Sequence, residues 1–457
     1  MPKCYDLIVV GAGPAGIMAA KVAAENGLSV VLLERKKNIA SVKRSCATMF
    51  AVEDDYLFGE RMFFNERQKK LTFPVNGFSV NYDGPYKNFY GQMLYAPDGK
   101  TCLQIGNYEE NLRRGDEGRL SVVYDKETLL KGMLQEAEEM GAEVVPGMNV
   151  SGVTRSGTTL TVTTTTGDTF EGTFAIAADG LNSRIADLLG LNKKRIFYGT
   201  VKTLSLEVTG VSLPAPFTYK MTNIFEEQYG IPLTYGIVPK ASGEDTFWFF
   251  IGGPADERIT YEDELVRFMK NSPFSPWFQK AQLGGKECAI LHFWSPIEDP
   301  FLDNVLVVGD AAWTIEAEIT GSIMCGWKAA HAVTLALRDS KPTREGIESY
   351  LTWWKESFLK YDYKGYLRSL AMLYVLNAED VRYVYSLLDK PLPCTLNPHK
   401  MEELVNAAIF EQLPTIEAER PEILEKFQKI ASEPLEELLK PLRGISGRHI
   451  EPSFPSP

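Results

Sequence analysis

The chain has 457 residues, 44% of them hydrophobic and 24% charged, and a net charge of −12. That length holds two or three structural units with a sizeable core, and the acidic balance, with no basic stripe among aromatics, excludes a nucleic-acid surface. Four scattered histidines and six cysteines, at 4, 46, 102, 288, 325 and 394, offer neither metal-ligand spacing nor a disulfide framework, so the expectation is a reduced cytoplasmic protein whose chemistry comes from a bound cofactor.

In chain order, Tyr5-Asp6-Leu7-Ile8-Val9-Val10 predicts a short apolar strand, Gly11-Ala12-Gly13-Pro14-Ala15-Gly16 a tight turn, and Pro14 to Asn26 an alanine-rich helix. In that context Gly11 permits the turn, Gly13 admits a pyrophosphate to the backbone, and Gly16 lets helix and strand pack closely. The N–H groups of the first helical turn, from Ala15 onward, then face the phosphates. A second strand from Ser29 to Leu33 ends in Glu34, placed to accept hydrogen bonds from a ribose 2′-hydroxyl and to repel a 2′-phosphate, with Arg35 beside it.

Residues 51–115, rich in Phe, Tyr, Asn and Gly, predict short strands and long loops. An amphipathic helix follows around Lys126 to Met140, with Leu129, Leu130, Met133, Leu134 and Ala137 at helical spacing. From Glu143 to Phe174 the period drops to two, which predicts a β-meander with a turn at Gly167-Asp168, leading into Ala178-Asp179-Gly180. Strands alternate through about 190–295, with one helix near Tyr261 to Asn271, before Leu306-Val307-Val308-Gly309-Asp310 returns to the nucleotide fold.

Beyond Ser322 the pattern is helical. Ile347, Leu351, Trp354 and Phe358 share a face that is read as core, with peripheral membrane contact as the alternative. No apolar run approaches the roughly 18 residues of a membrane span. The layout is thus an α/β protein: a discontinuous Rossmann-like domain (residues 1–50, 116–188 and 296–340), an insertion (51–115), an antiparallel-sheet substrate domain (189–295), a helical C-terminal region (341–442) and a disordered tail (443–457).

The three motifs Gly11 to Gly16, Ala178-Asp179-Gly180-Leu181-Asn182-Ser183 and Val308-Gly309-Asp310-Ala311-Ala312, in this order, resemble the FAD-binding fold shared by aromatic hydroxylases and geranylgeranyl reductases over about residues 5–385. The resemblance implies FAD as cofactor, with Asp179 and Gly180 along its pyrophosphate and Asp310, after Gly309, on a ribityl hydroxyl. Gly321-Ser322-Ile323 is expected to open a helix whose positive end sits against the flavin. Lys43-Arg44-Ser45-Cys46 is similar to the reductase segment that brings a cysteine to the flavin ring. Arg119 is the candidate for an arginine that the family usually carries nearby.

Tyr235-Gly236-Ile237-Val238-Pro239-Lys240 is similar to an element lining the substrate cavity of geranylgeranyl reductases, although its tryptophan is missing. Tyr235 and Pro239 are therefore substrate candidates, Trp313 and Glu316, in the segment just after the third motif, are two more, and Cys46 and Tyr235 are candidate catalytic groups. The segment Trp313 to Glu318 lacks the histidine and proline that hydroxylases place after the third motif, which counts against oxygen chemistry. The resemblance then implies a reductase that saturates a carbon–carbon double bond of an apolar, isoprenoid-like molecule. A monooxygenase and an electron-transfer flavoprotein partner are the alternatives. The single dinucleotide fingerprint serves FAD, so electrons are expected from NAD(P)H bound transiently or from a ferredoxin-like carrier.

Overall fold

A computed structural model of the chain describes residues 4–46, 48–49, 55–315 and 317–443. The predicted tail beyond Arg443, Ala47 and Glu316 lie outside the described residues. At the centre is a parallel sheet in the order Glu143–Pro146, Val30–Glu34, Cys4–Val10, Thr169–Ala177, Val305–Val307. Leu7, Ile8, Val9 and Val31 to Leu33 are buried, as expected of strands covered on both faces, which read as continuous apolar runs. The strand Thr169–Ala177 bridges two pairings. Its beginning joins the antiparallel meander Val150–Ser156 and Thr159–Thr164, while Ala175 to Ala177 pair with Val305–Val307.

Helix Pro14–Glu25 covers this sheet and packs on Glu318–Arg338. The two helices approach closely because Gly326 has no side chain: a Cβ there would lie 2.1 Å from the Ala15 carbonyl oxygen. Helix Lys126–Glu139 packs on the same element, with Lys21 Nζ 2.9 Å from a Glu136 oxygen.

The second sheet has seven strands, in the order Gln282–Trp294, Phe197–Thr209, Thr246–Pro254, Ile231–Pro239, Tyr219–Glu226, Gln92–Tyr95, Cys102–Ile105. Its last two strands come from the first long insertion, whose earlier strands Phe63–Asn65, Lys70–Phe73 and Phe78–Asn81 instead form a small sheet beside the nucleotide core. One face of the large sheet, carrying Leu204, Leu206, Ile237 and Phe249, is covered by helix Tyr261–Asn271 and by Phe274 and Phe278. Neighbours one position along each strand point the other way. There Val238 and Trp248 pack with Phe89, Leu120 and Val123 of the nucleotide-domain side.

The C-terminal region is helical, as the spacing predicts. Ile347, Leu351, Trp354 and Phe358 are all buried, so their stripe is core and not a lipid-facing surface. Trp354 donates to the Ile297 carbonyl at 2.9 Å, and Phe358 stacks on Phe58 with ring centroids 3.8 Å apart. No helix among the described residues is long and apolar enough to cross a membrane.

Candidate cofactor and active site

The glycines of the first motif do different work. Gly11 has φ +98°, and a Cβ on it would sit 2.4 Å from the Ala178 carbonyl oxygen, so the chain crossing itself requires glycine. A Cβ on Gly16 would lie 1.8 Å from the Gly11 oxygen. Gly13 differs: a Cβ there would meet no protein atom within 4 Å. Nothing in the fold demands glycine at that position, and its bare backbone leaves open space for a ligand at the helix N-terminus. That terminus has proline at its first position and no side-chain cap, which leaves its first N–H groups outward.

Glu34 is buried at the end of its strand. One carboxylate oxygen accepts from the Ala12 N–H at 2.8 Å and the other from the Lys36 N–H at 2.9 Å. Each oxygen keeps a lone pair for a ribose hydroxyl. Arg35 next to it is exposed.

The second motif turns back across the same edge. Asp179 accepts from Ser183 Oγ at 2.7 Å and from the Ile185 N–H at 3.1 Å, which holds the start of helix Arg184–Leu188 in place. Burial pushes its carboxyl above the usual range while those bonds pull it down. Gly180 has φ +84° and, like Gly13, open space where a Cβ would be. Asn182 joins the motif to the substrate sheet, donating to the Ile290 carbonyl at 3.0 Å and accepting from the His292 N–H at 3.2 Å.

The third motif brings Asp310 to Arg44, with 3.9 Å between guanidinium and carboxylate, both partly exposed. Arg195 clamps this loop from behind. It donates to the carbonyls of Ser295 (2.5 Å) and Ala311 (3.5 Å), and burial lowers its pKa to about 9. The helix expected to open at Gly321 starts three residues earlier, at Glu318, with Ala317 as its cap. Gly321, Ser322 and Ile323 are therefore inside its first two turns. Gly321 is a contact point, since a Cβ on it would lie 2.8 Å from the Phe58 ring, and Ser322 lies against Gly309.

Beyond the cradle, Cys46 faces helix Lys126–Glu139 with Lys126 Nζ 3.8 Å from its sulfur. The adjacent Ser45 hydroxyl meets the Ser205 hydroxyl of the substrate sheet at 2.5 Å. Ser205 pairs in register with Glu287, which therefore shares that face of the sheet. Burial pushes the Glu287 carboxyl up to about 7, while Lys240 and Lys126 pull it down and Glu127 and Asp125 add to the rise. Lys240 is ion-paired with Glu207 and lies 4.7 Å over the Trp248 ring.

Four expected site residues lie elsewhere. Tyr235 is 1% exposed on the helix-covered face, stacked on Phe268 at 4.3 Å and donating to Glu226 at 2.9 Å. Pro239 shares the parity of Tyr235, so Gly236, Val238 and Lys240 are the residues of that element that face the cradle side. Trp313 is fully enclosed by Phe58, Trp354, Phe358, Tyr363 and His399 and bonds the Ile315 carbonyl, a core role instead of a substrate contact. Arg119 is anchored on the small insertion sheet, donating to the Phe64 carbonyl at 2.9 Å. Arg195, Lys126 and Glu287 carry no local motif, and only the three-dimensional pairing reveals them, while Asn182 lies within the second motif but its link to His292 and Ile290 is visible only in the structure.

Residues 4–316 match the model of the family described as FAD binding domain. The chain belongs to that family. This FAD-dependent oxidoreductase is 25% identical over 374 residues to a digeranylgeranylglycerophospholipid reductase of Methanocaldococcus jannaschii, covering 78% of this chain and 84% of the relative. It is 26% identical over 395 residues to digeranylgeranylglycerophospholipid reductase 2 of Methanosphaera stadtmanae, covering 82% and 88%. A geranylgeranyl bacteriochlorophyll reductase-like protein of Thermoplasma acidophilum shares its fold, with a TM-score of 0.66 at 18% identity over 94% of this chain and all of that one. The resemblance to the geranylgeranyl reductase-like branch of the superfamily is thereby upheld.

The residues present fit FAD. Gly13 leaves open space at the uncapped helix N-terminus, where a pyrophosphate would be received, Gly180 is open in the same way, and the buried carboxylate of Glu34 would accept from a ribose hydroxyl. Arg44 and Asp310, 3.9 Å apart and partly exposed, would provide polar groups for the flavin half.

Proposed function

We propose that this oxidoreductase saturates a carbon–carbon double bond of an apolar, isoprenoid-type substrate. The observation that carries the reading is its likeness, over about four-fifths of its length, to two relatives named as reductases of geranylgeranyl lipids. The apolar character of the sheet face that meets the Cys46 segment through Ser205 is consistent with it, since Tyr219 and Phe250 stack there at 5.7 Å beside the buried Val238 and Trp248. Reduced FAD would supply the hydride equivalent, with electrons from NAD(P)H or a ferredoxin-like carrier. The test is incubation of the reduced protein with lipid extracts, once without air and once under heavy-isotope dioxygen, followed by mass spectrometry. A product two hydrogens heavier in the airless sample is expected; a heavy-oxygen label would replace the reading with a monooxygenase.

The proton for the second carbon must come from an acid still protonated near neutrality. Glu287 meets that requirement, with its carboxyl held at about 7 on the same sheet face as Ser205, which touches the Cys46 segment. Cys46, with Lys126 beside it, is retained as a second group of that wall. Tyr235 is not, because its hydroxyl is already donated to Glu226 on the opposite face. A general acid works only while protonated, so single-turnover reduction is expected to slow as pH rises through about 7. In Glu287→Gln this limb should vanish and the rate at pH 6 fall by roughly 100-fold. A pH profile unchanged in the variant would remove Glu287 from the reaction.

A further inference from the structure

Behind the aromatic layer around Trp313, a cavity of about 290 Å³ opens beside the helices Tyr363–Val375 and Pro398–Glu411. Its lining includes Tyr361, Asp362, His399, Glu402, Glu403 and Asn406. His399, only 4% exposed, forms its inner end, and neither ring nitrogen has a hydrogen-bond partner among the described residues. Leaving buried polar groups unmatched is costly, and a ligand in the cavity that paired with a ring nitrogen would recover part of that cost. The imidazole is packed by Tyr361 at 4.5 Å and Tyr366 at 5.4 Å, and burial lowers its pKa to about 4. It is neutral at physiological pH and presents one N–H and one lone pair.

Three carboxylates line the same cavity, and no lysine or arginine does. Glu402 is fixed by Ser369 Oγ at 2.7 Å and by Asn406, and Asp362 caps its helix through the Gly365 N–H at 3.0 Å. The nearby cations are directed elsewhere: Lys400 pairs with Asp55 at 2.8 Å, and Lys364 lies 6.0 Å over the Tyr363 ring. No metal-binding grouping occurs among the described residues, so the cavity does not have the ligand arrangement of a metal centre. What remains is a negatively charged, acceptor-lined cavity with an aromatic side, which suits an organic cation that carries N–H donors.

We propose that this cavity binds a primary ammonium group, its charge met by Glu402, Glu403 and Asp362 and one N–H accepted by His399. The chemistry is shared by a free diamine and by the amino headgroup of a lipid, and it is independent of the reductase reading. The test uses the full-length, FAD-loaded protein in calorimetric titrations with 1,4-diaminobutane, with tetramethylammonium, and with vesicles of phosphatidylethanolamine or phosphatidylcholine. Saturable binding of diaminobutane is expected for a free amine, and binding of phosphatidylethanolamine but not phosphatidylcholine vesicles for a headgroup. In either case the surface-side double variant Glu402→Gln, Glu403→Gln should weaken binding at least tenfold, and diaminobutane should shift one ring nitrogen of His399 in ¹⁵N spectra. No binding of either amine, undiminished binding by the double variant, or tetramethylammonium binding as well as diaminobutane would each overturn the proposal.

Discussion

Gly13→Val is expected to give a folded protein that purifies without flavin. Its N-cap residue has φ −79° and ψ −179°, an extended conformation open to valine, and a Cβ on it meets no protein atom within 4 Å. The new side chain therefore leaves the strand, turn and helix intact and fills the space where the pyrophosphate must approach the backbone. FAD affinity should fall by about 100-fold or more, which corresponds to about 2.7 kcal/mol. Thermal stability should then match that of the wild-type protein stripped of flavin, because only the mass-action contribution of the cofactor is lost. The check is the ratio of flavin to protein absorbance together with melting of both forms. Gly16→Val makes the contrast, since its Cβ would lie 1.8 Å from the Gly11 oxygen and so disrupts the fold itself. A yellow Gly13→Val protein with full flavin would mean that the pyrophosphate lies elsewhere.

The nucleotide half of the site was legible in the sequence because its determinants are local. A strand, a glycine turn and a helix within 25 residues fix where Gly11, Gly13 and Gly16 go, and Glu34 follows one strand later. The substrate half depends on parity and long-range pairing, which one chain does not spell out. Tyr235 and Val238 sit on one strand three residues apart and face opposite ways, and both faces of that strand are apolar, so alternation gave no sign of which one meets the cradle. Glu287 lies in a run with no motif and gains its place by pairing with Ser205, 82 positions earlier. The early start of the helix at Glu318 was hidden for a different reason. Ala317 offers no capping side chain, so the glycine at 321 was the strongest local signal although its function is contact with Phe58.

Trp313→Ala is expected to cost about 3–5 kcal/mol of stability, the range for deleting a large buried aromatic. Its ring is fully enclosed and touches Phe58 from the segment before the insertion sheet, Trp354 and Phe358 from the first C-terminal helix, and His399 from a later one. These elements lie far apart in sequence, so one ring couples the C-terminal helices to the loop that carries Asp310, and loss of the ring should loosen flavin retention along with the fold. Trp313→Phe keeps most of the packing and should cost less than half as much. The measurement is chemical unfolding followed by both far-ultraviolet dichroism and flavin release. If Trp313→Ala left both transitions in place and impaired only turnover, the residue would face the substrate after all, as its position just after the third motif first suggested. Coincident early loss of helix signal and flavin would instead fix it as the pin between the helical region and the cofactor loop.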